Sequence, residues 1–230
     1  MSGQIDALSA LDWWREAGVD TLVDEEPRDW LRPPPKPQLQ PASPAASTAS
    51  ELPATLASLH VWLRESSVLP GAPTARILPA GDPASGLMLL ADMPEPADAA
   101  EGALFSGEIG RLFDRMLAAI GRDRASIYLA AMAGARVPGR ELEAPETTRI
   151  ARHHVALAAP RALLLLGNAP SRALLGMDFA AARGRKHEIN HEGATVTAIA
   201  TFHPRLLLQQ SARKADAWAD LRLLLEVLSV

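Results

Sequence analysis

The chain contains no cysteine. Disulfides, thiolate metal sites and a cysteine nucleophile are therefore excluded, and the composition fits a cytoplasmic protein. Lysine is nearly as scarce, with three against twenty arginines. Arginine's planar fork suits phosphates, although a GC-rich coding sequence would enrich it equally. Aromatics are few, with one tyrosine and four phenylalanines. No apolar run approaches the ~18 residues of a membrane span. The opening MSGQIDALSA has neither the basic start nor the apolar stretch of a secretory signal. A net charge of −4 gives no overall pull towards nucleic acid. GxGxxG and Walker-type loops are missing too, which weighs against a nucleotide-binding αβα domain.

What is present is a chain of 230 residues, 48% apolar, enough for one domain and an appendage. Residues 1–31 read as a helical arm, with LDWWREAGVDTLV at helical spacing and then PRDWL. The arm is acid-rich (Asp20, Asp24, Glu25, Glu26, Asp29) and bears Trp13, Trp14 and Trp30. Those indoles either anchor the arm on the domain or bind a partner protein. Residues 32–53 form a Pro/Ala/Ser tract that cannot bury apolar surface and reads as a linker. Residues 54–230 are the folded domain.

Within that domain short apolar runs alternate with helical patterns. LMLLA, SIYLAAM, RALLLLG and TVTAIA read as buried strands. TLASLHVWLRES, SGEIGRLFDRMLAAIG, PETTRIARHHVALAA, APSRALLG and SARKADAWADLRLLLEVL read as helices. This alternation predicts an α/β fold, a three-layer αβα sandwich around a mostly parallel, four-stranded sheet. In such sheets ligands bind beyond the carboxyl ends of the strands. Asp92, the stretch from Gly134 to Gly139, Asn168 and His203 fall there. Asp92 stands one residue before Met93-Pro94, and His203 directly precedes Pro204. Alone, each is more readily a turn former or a packed histidine. Together, at neighbouring strand ends, they form a candidate site.

The order and spacing of these segments resemble the uracil-DNA glycosylase superfamily, in particular its group with a GEAPG first motif and an HPxxLL last motif. ADMPE lies where GEAPG would stand. EGALFSGEIGRLFDRMLAAIG, IYLAAMAGARVPGR, ALLLLGNAPSRALLG, RGRKHE and TFHPRLLL follow in register, so the resemblance spans about residues 59 to 228. That group holds an iron–sulfur cluster through four cysteines, whose places are taken here by Ser66, Leu69, Ala135 and Ala151. The resemblance therefore implies a cluster-free relative without metal or other cofactor. Asp92 replaces the motif's glutamate, Glu95 its last glycine, and Ala131 the asparagine that reads the base edge.

The resemblance implies a monofunctional glycosylase that flips out a base and hydrolyses its N-glycosidic bond. Asp92 would orient water and His203 would stabilise the leaving base. Met93, Phe105, Ala131, Glu95 and Asn168 would surround the base, Phe105 by stacking. Ser106, Gly107, Gly167, Ser171, Arg183, Arg185 and Arg205 would meet the DNA backbone. Leu206, Leu207 and Leu208 would wedge into the vacated stack, unless they begin the core contacts of the last helix. A monomer with DNA as its partner is expected. Loss of the reader at Ala131 points to a modified pyrimidine, hydroxymethylcytosine or its glucosylated form in phage DNA. The alternatives are uracil repair, with Glu95 or Asn168 reading the base, and a degenerate relative that only binds DNA or protein.

Overall fold

A computed structural model describes residues 51–137, 139–191 and 194–229, so the Trp-bearing arm and the linker up to residue 50 lie outside the described residues. The first described helix, α1 (Leu56–Glu65), starts at a capping box in which Thr55 and Ser58 exchange side-chain and backbone hydrogen bonds. Helix α2 (Asp98–Glu101) is a single turn, and α3 (Gly107–Ala119) and α5 (Pro145–Ala158) are long and amphipathic. Between them comes α4 (Gly139–Leu142). Pro145 sits in the first turn of α5, where its missing N–H costs nothing. Helices α6 (Asn168–Leu175), α7 (Phe179–Ala182), α8 (Pro204–Gln209) and α9 (Lys214–Leu228) follow.

The sheet has six strands among the described residues, in the order β1-β3-β2-β4-β6-β5. The four predicted strands are its centre: β2 (Leu87–Ala91), β3 (Tyr128–Ala131), β4 (Ala162–Leu166) and β6 (Ala194–Thr201) pair in parallel. The expected count of four is corrected by two antiparallel edges, β1 (Ala80–Gly81) and β5 (His187–His191). Both escape a search for apolar runs. The first has two residues, and HEINH has a polar composition around a buried Ile189.

Side chains of the central strands alternate between two cores. Met88 and Leu90 of β2 join Tyr128, Leu163 and Leu165 beneath Val155 of α5 and Leu174 of α6. Leu87, Leu89 and Ala91 join Leu129, Leu164 and Ile199 beneath Phe113 and Leu117 of α3 and Leu221 and Leu224 of α9. Both faces are covered, which gives the three layers. Uniform burial of β2 and β4 explains why they read as unbroken apolar runs. Polar groups are thus displaced to the strand ends.

Candidate active site

Three parallel strands deliver the site. Asp92 follows β2, Gly167 and Asn168 follow β4, and His203 follows β6. Asp92, Gly167, Asn168, His203, Arg205 and Leu206 share the wall of one cavity of about 360 Å³. That lies at the small end of the usual range for ligand pockets. Phe179 and Phe202 supply part of its apolar lining.

His203 is 5% exposed and caps helix α8. Its Nδ1 accepts the backbone N–H of Arg205 at 3.2 Å. In the neutral ring the proton therefore resides on Nε2. Burial pushes this imidazole down to about 4, against the upward pull of the Asp92 carboxylate, so the neutral form is favoured near pH 7. Nε2 lies 3.5 Å from Asp92 Oδ1 and 3.8 Å from Glu95 Oε1. Among the described residues it has no hydrogen-bond partner. Buried donors are rarely left so.

Asp92 is oriented at both oxygens. Oδ1 accepts the Met93 amide at 2.8 Å and Oδ2 accepts Arg205 Nη2 at 3.1 Å. Glu95 is almost fully buried, and its Oε1 accepts Arg205 Nη1. Burial raises the Glu95 carboxyl, while Arg205 and Arg136 pull it down. Asp98, fully buried, organises the loop between these residues and α3. Its carboxylate accepts the amides of Glu95, Phe105 and Ser106 at 2.8, 3.1 and 2.7 Å.

The other expected residues fall in three groups. Met93 is half-buried against the core under α5 and α6, and Ala131 pairs in register with Ala91 beside the site. Phe105 is buried and lies edge-on to His203, behind it rather than open to the cavity. Asn168 is exposed, with its Oδ1 accepting the Phe179 amide at 3.1 Å. Ser106, with its hydroxyl on the Ala103 carbonyl, and exposed Gly107 open α3. Arg185 is exposed but does not line the cavity.

Three residues are placed where they have little to offer DNA. Ser171 is fully buried and donates to the Gly167 carbonyl at 2.8 Å. Arg183 grips the buried Asp220 through Nε and Nη2, with its guanidinium 4.2 Å from the Phe202 ring centroid. It braces α9 against the residue before His203. Leu207 is 1% exposed and packs with Leu112, Phe202 and Ala217. Its neighbours differ, for Leu206 lines the cavity and Leu208 is exposed.

Sequence reasoning missed Asp98, Phe179, Phe202 and the Arg124 that fixes the Phe105 loop. Arg124 donates to the carbonyls of Leu104 and Phe105 at 2.8 and 2.7 Å. No local motif marks these contacts, and those of Arg124 reach back across the whole of α3.

The sites expected to replace cluster ligands lie in ordinary packing. Ala135 and Ala151 are buried. The loop bearing Ser66 and Leu69 is held by Arg76, which donates to the carbonyls of Leu63, Arg64, Leu69 and Gly71. An iron–sulfur cluster does not fit residues without a thiolate.

Alternating strands and helices, with a carboxylate and an imidazole converging beyond the strand ends, define a three-layer α/β protein with a candidate site where such sheets bind ligands. The family model described as the uracil DNA glycosylase superfamily matches residues 78–222. The chain belongs to that superfamily, and its class is that of the DNA glycosylases. No helix among the described residues is long and apolar enough to cross a membrane.

Proposed function

We propose that this protein is a cluster-free, monofunctional DNA glycosylase acting on a modified pyrimidine. The observation that carries the chemistry is the buried Nε2–H of His203, without a hydrogen-bond partner among the described residues, beside Asp92 at the cavity wall.

A base stacked in a duplex cannot reach such a recess, so the nucleotide must be extruded. As the glycosidic bond lengthens, negative charge gathers on the base and positive charge on the sugar. His203 donates its Nε2–H to the developing oxyanion of the base. A preformed neutral donor suits this role because it needs no reorganisation. Asp92 orients water towards C1′ and stabilises the oxocarbenium-like sugar. The water oxygen bonds C1′ as the C1′–N bond breaks, and the departing base anion ends with the water's proton. No lysine among the described residues lines the cavity, which favours hydrolysis over Schiff-base chemistry.

For the substrate, Ala131 at the end of β3 offers no side-chain hydrogen bond to a base edge. A site built to read uracil would need a matched polar group. This favours a base with additional atoms, with hydroxymethylcytosine or its glucosylated form in phage DNA the leading candidate. The biological role would then be defence against phage. Glu95 is the observation favouring the second reading, uracil repair, because a buried carboxylate near His203 could accept a uracil N3–H.

DNAs bearing uracil, hydroxymethylcytosine, glucosylated hydroxymethylcytosine, hypoxanthine or a thymine mismatch, scored for abasic sites, decide between them. Removal of a modified cytosine is expected. Efficient uracil removal with no activity on modified cytosine would defeat the substrate proposal, and no excision from any of them would defeat the activity.

A further inference from the structure

The carboxylate that hydrolysis needs is already occupied. Arg205 spans Asp92 and Glu95, one guanidinium nitrogen on each. A carboxylate clamped in this way is a poor acceptor for water, because its charge is neutralised and a lone pair is taken. The two ends of the clamp differ in freedom. The Glu95 side chain is 4% exposed, whereas that of Arg205 is 35% exposed and lines the open cavity. One partner is fixed and the other stands where a ligand would enter.

We infer that Arg205 is a displaceable cap on Asp92: a nucleic-acid backbone phosphate entering the cavity takes its guanidinium and frees Asp92 to hold water. The inference rests on the glycosylase reading of the same site and adds a control to it. A guanidinium that leaves two carboxylates for a phosphate keeps a bidentate, charge-assisted partner throughout. Glu95 is not stranded by the exchange. Arg136 Nη1 lies 4.0 Å from Glu95 Oε2, and Arg136 is itself held by a 3.0 Å bond to the Pro94 carbonyl.

The groups facing Glu95 are Arg205, Asp92, Arg136, Asp98 and His203. Burial already raises its carboxyl. Departure of Arg205 removes the largest opposing influence, so Glu95 takes up a proton more readily and its repulsion of Asp92 falls. Glu95 is thus the anchor that holds the cap in the resting protein. Without DNA, the nucleophilic water has no free carboxylate. With DNA in place, it has one.

The cap predicts opposite signs for the two ends of one ion pair. The full-length chain is titrated by fluorescence anisotropy against a labelled duplex containing an uncleavable 2′-fluoro hydroxymethylcytidine, over a range of salt. Arg205→Ala should weaken binding about tenfold, the scale of one charge-assisted hydrogen bond. It should also make the logarithmic salt slope shallower by about 0.9, one phosphate's worth. Glu95→Gln should tighten binding by about three- to tenfold with the salt slope kept, because the guanidinium is released more easily. A static strut would make both variants weaken binding alike or leave the salt slope of Arg205→Ala at the wild-type value, and either result overturns the cap.

Thermal melts report whether the variants fold. Should either fail, arginine side-chain NMR of the wild-type protein gives the answer instead. The Arg205 signal, assigned with Arg205→Lys, must move when DNA is added, and an unmoved signal overturns the cap. These readouts follow binding, so a protein that binds but excises no base defeats the glycosylase reading while still deciding the cap. Failure to bind DNA at all overturns both.

Discussion

Phe105 meets His203 edge to face, ring centroids 5.2 Å apart at 74°, from a backbone in the left-handed region at φ 58°. A phenylalanine adopts that conformation at a cost of roughly 1–2 kcal/mol. Here it is held by Asp98 at its N–H and by Arg124 at its carbonyl. Strain of this kind persists where surrounding structure over-determines it. The result is a ring that fixes the plane of the His203 imidazole.

The tightest part of that arrangement is Gly110, where an added Cβ would lie 2.1 Å from the Phe105 carbonyl oxygen. Gly110→Ala should therefore push the Phe105 loop outward. Overpacking of this sort costs about 1–3 kcal/mol, visible as a lower Tm. The loss of cleavage should exceed the loss of DNA affinity, because His203 is misaligned while the surface is kept. A variant with wild-type Tm and cleavage would show that the loop is not under such constraint.

Asp92→Asn and His203→Ala should each reduce single-turnover cleavage by about 100-fold or more, the scale for removing a general base or an electrostatic donor. Affinity for an uncleavable duplex should change much less, since phosphate contacts dominate it. Normal cleavage by both variants would place the chemistry elsewhere.

The pH dependence follows from burial. His203 has its folded value lowered to about 4 from the ordinary 6.5, so the Nε2–H donor stays neutral from pH 8 down to about 5. Cleavage should show no inflection near 6.5, and the ring's NMR titration midpoint should lie well below it. Stability has the matching sign. An unfolded histidine binds a proton below 6.5 and the native one does not until about 4, so this contribution is complete above 6.5 and shrinks as pH falls through that window. His154, lowered to about 3 mainly by burial, acts in the same direction. Its Nε2 shares a hydrogen bond with the Tyr128 hydroxyl, which also bonds His60. Tm should fall between pH 7 and pH 4. A His203 midpoint near 6.5 would refute the account.

The three leucines of α8 should separate by readout. Leu207→Ala removes a core side chain and should cost about 2–5 kcal/mol of stability, with duplex and single strands affected alike at a temperature where the protein stays folded. Leu208→Ala and Leu206→Ala should leave Tm nearly unchanged and slow excision from duplex more than from single strands, which have no stack to open. Equal loss on both substrates would remove these two from the role of wedge.

Ala131→Asn should shift preference towards uracil, because it places a polar group at the end of β3, paired with Ala91 just before Asp92. The ratio of kcat/KM for uracil over hydroxymethylcytosine is the measurement. An unchanged ratio would mean that the base edge does not face this residue.

The central fold was legible because β2 and β4 are buried on both faces and therefore uninterruptedly apolar. Asp92 and His203 were legible because each is a polar residue where such a run stops. The edge strand His187–His191 was not, since its pairing with β6 comes from backbone hydrogen bonds that a polar segment makes equally well. Arg205 and Glu95 were noticed separately, but their ion pair joins residues 110 positions apart and no local pattern encodes it. Asp98 left no signal either, because in PADAAEG it reads as an ordinary helix start. Resemblance named Ser171, Arg183 and Leu207, and packing then gave all three interior duties.

The sheet order also dictates when the site comes into existence. Asp92 and His203 follow β2 and β6, which do not pair, because β4 lies between them. Gly167 at the end of β4 fills that gap, at φ 95° and with an added Cβ only 3.5 Å from that of His203. Neither half of the chain can therefore assemble the pair alone. A nascent protein with β2 and β3 joined has its carboxylate but no imidazole, and β6 cannot deliver one until β4 has docked. Parallel pairings of this range are slow to close. On the proposed reading, no base can be excised until the last central strand is seated and brings His203 to Asp92.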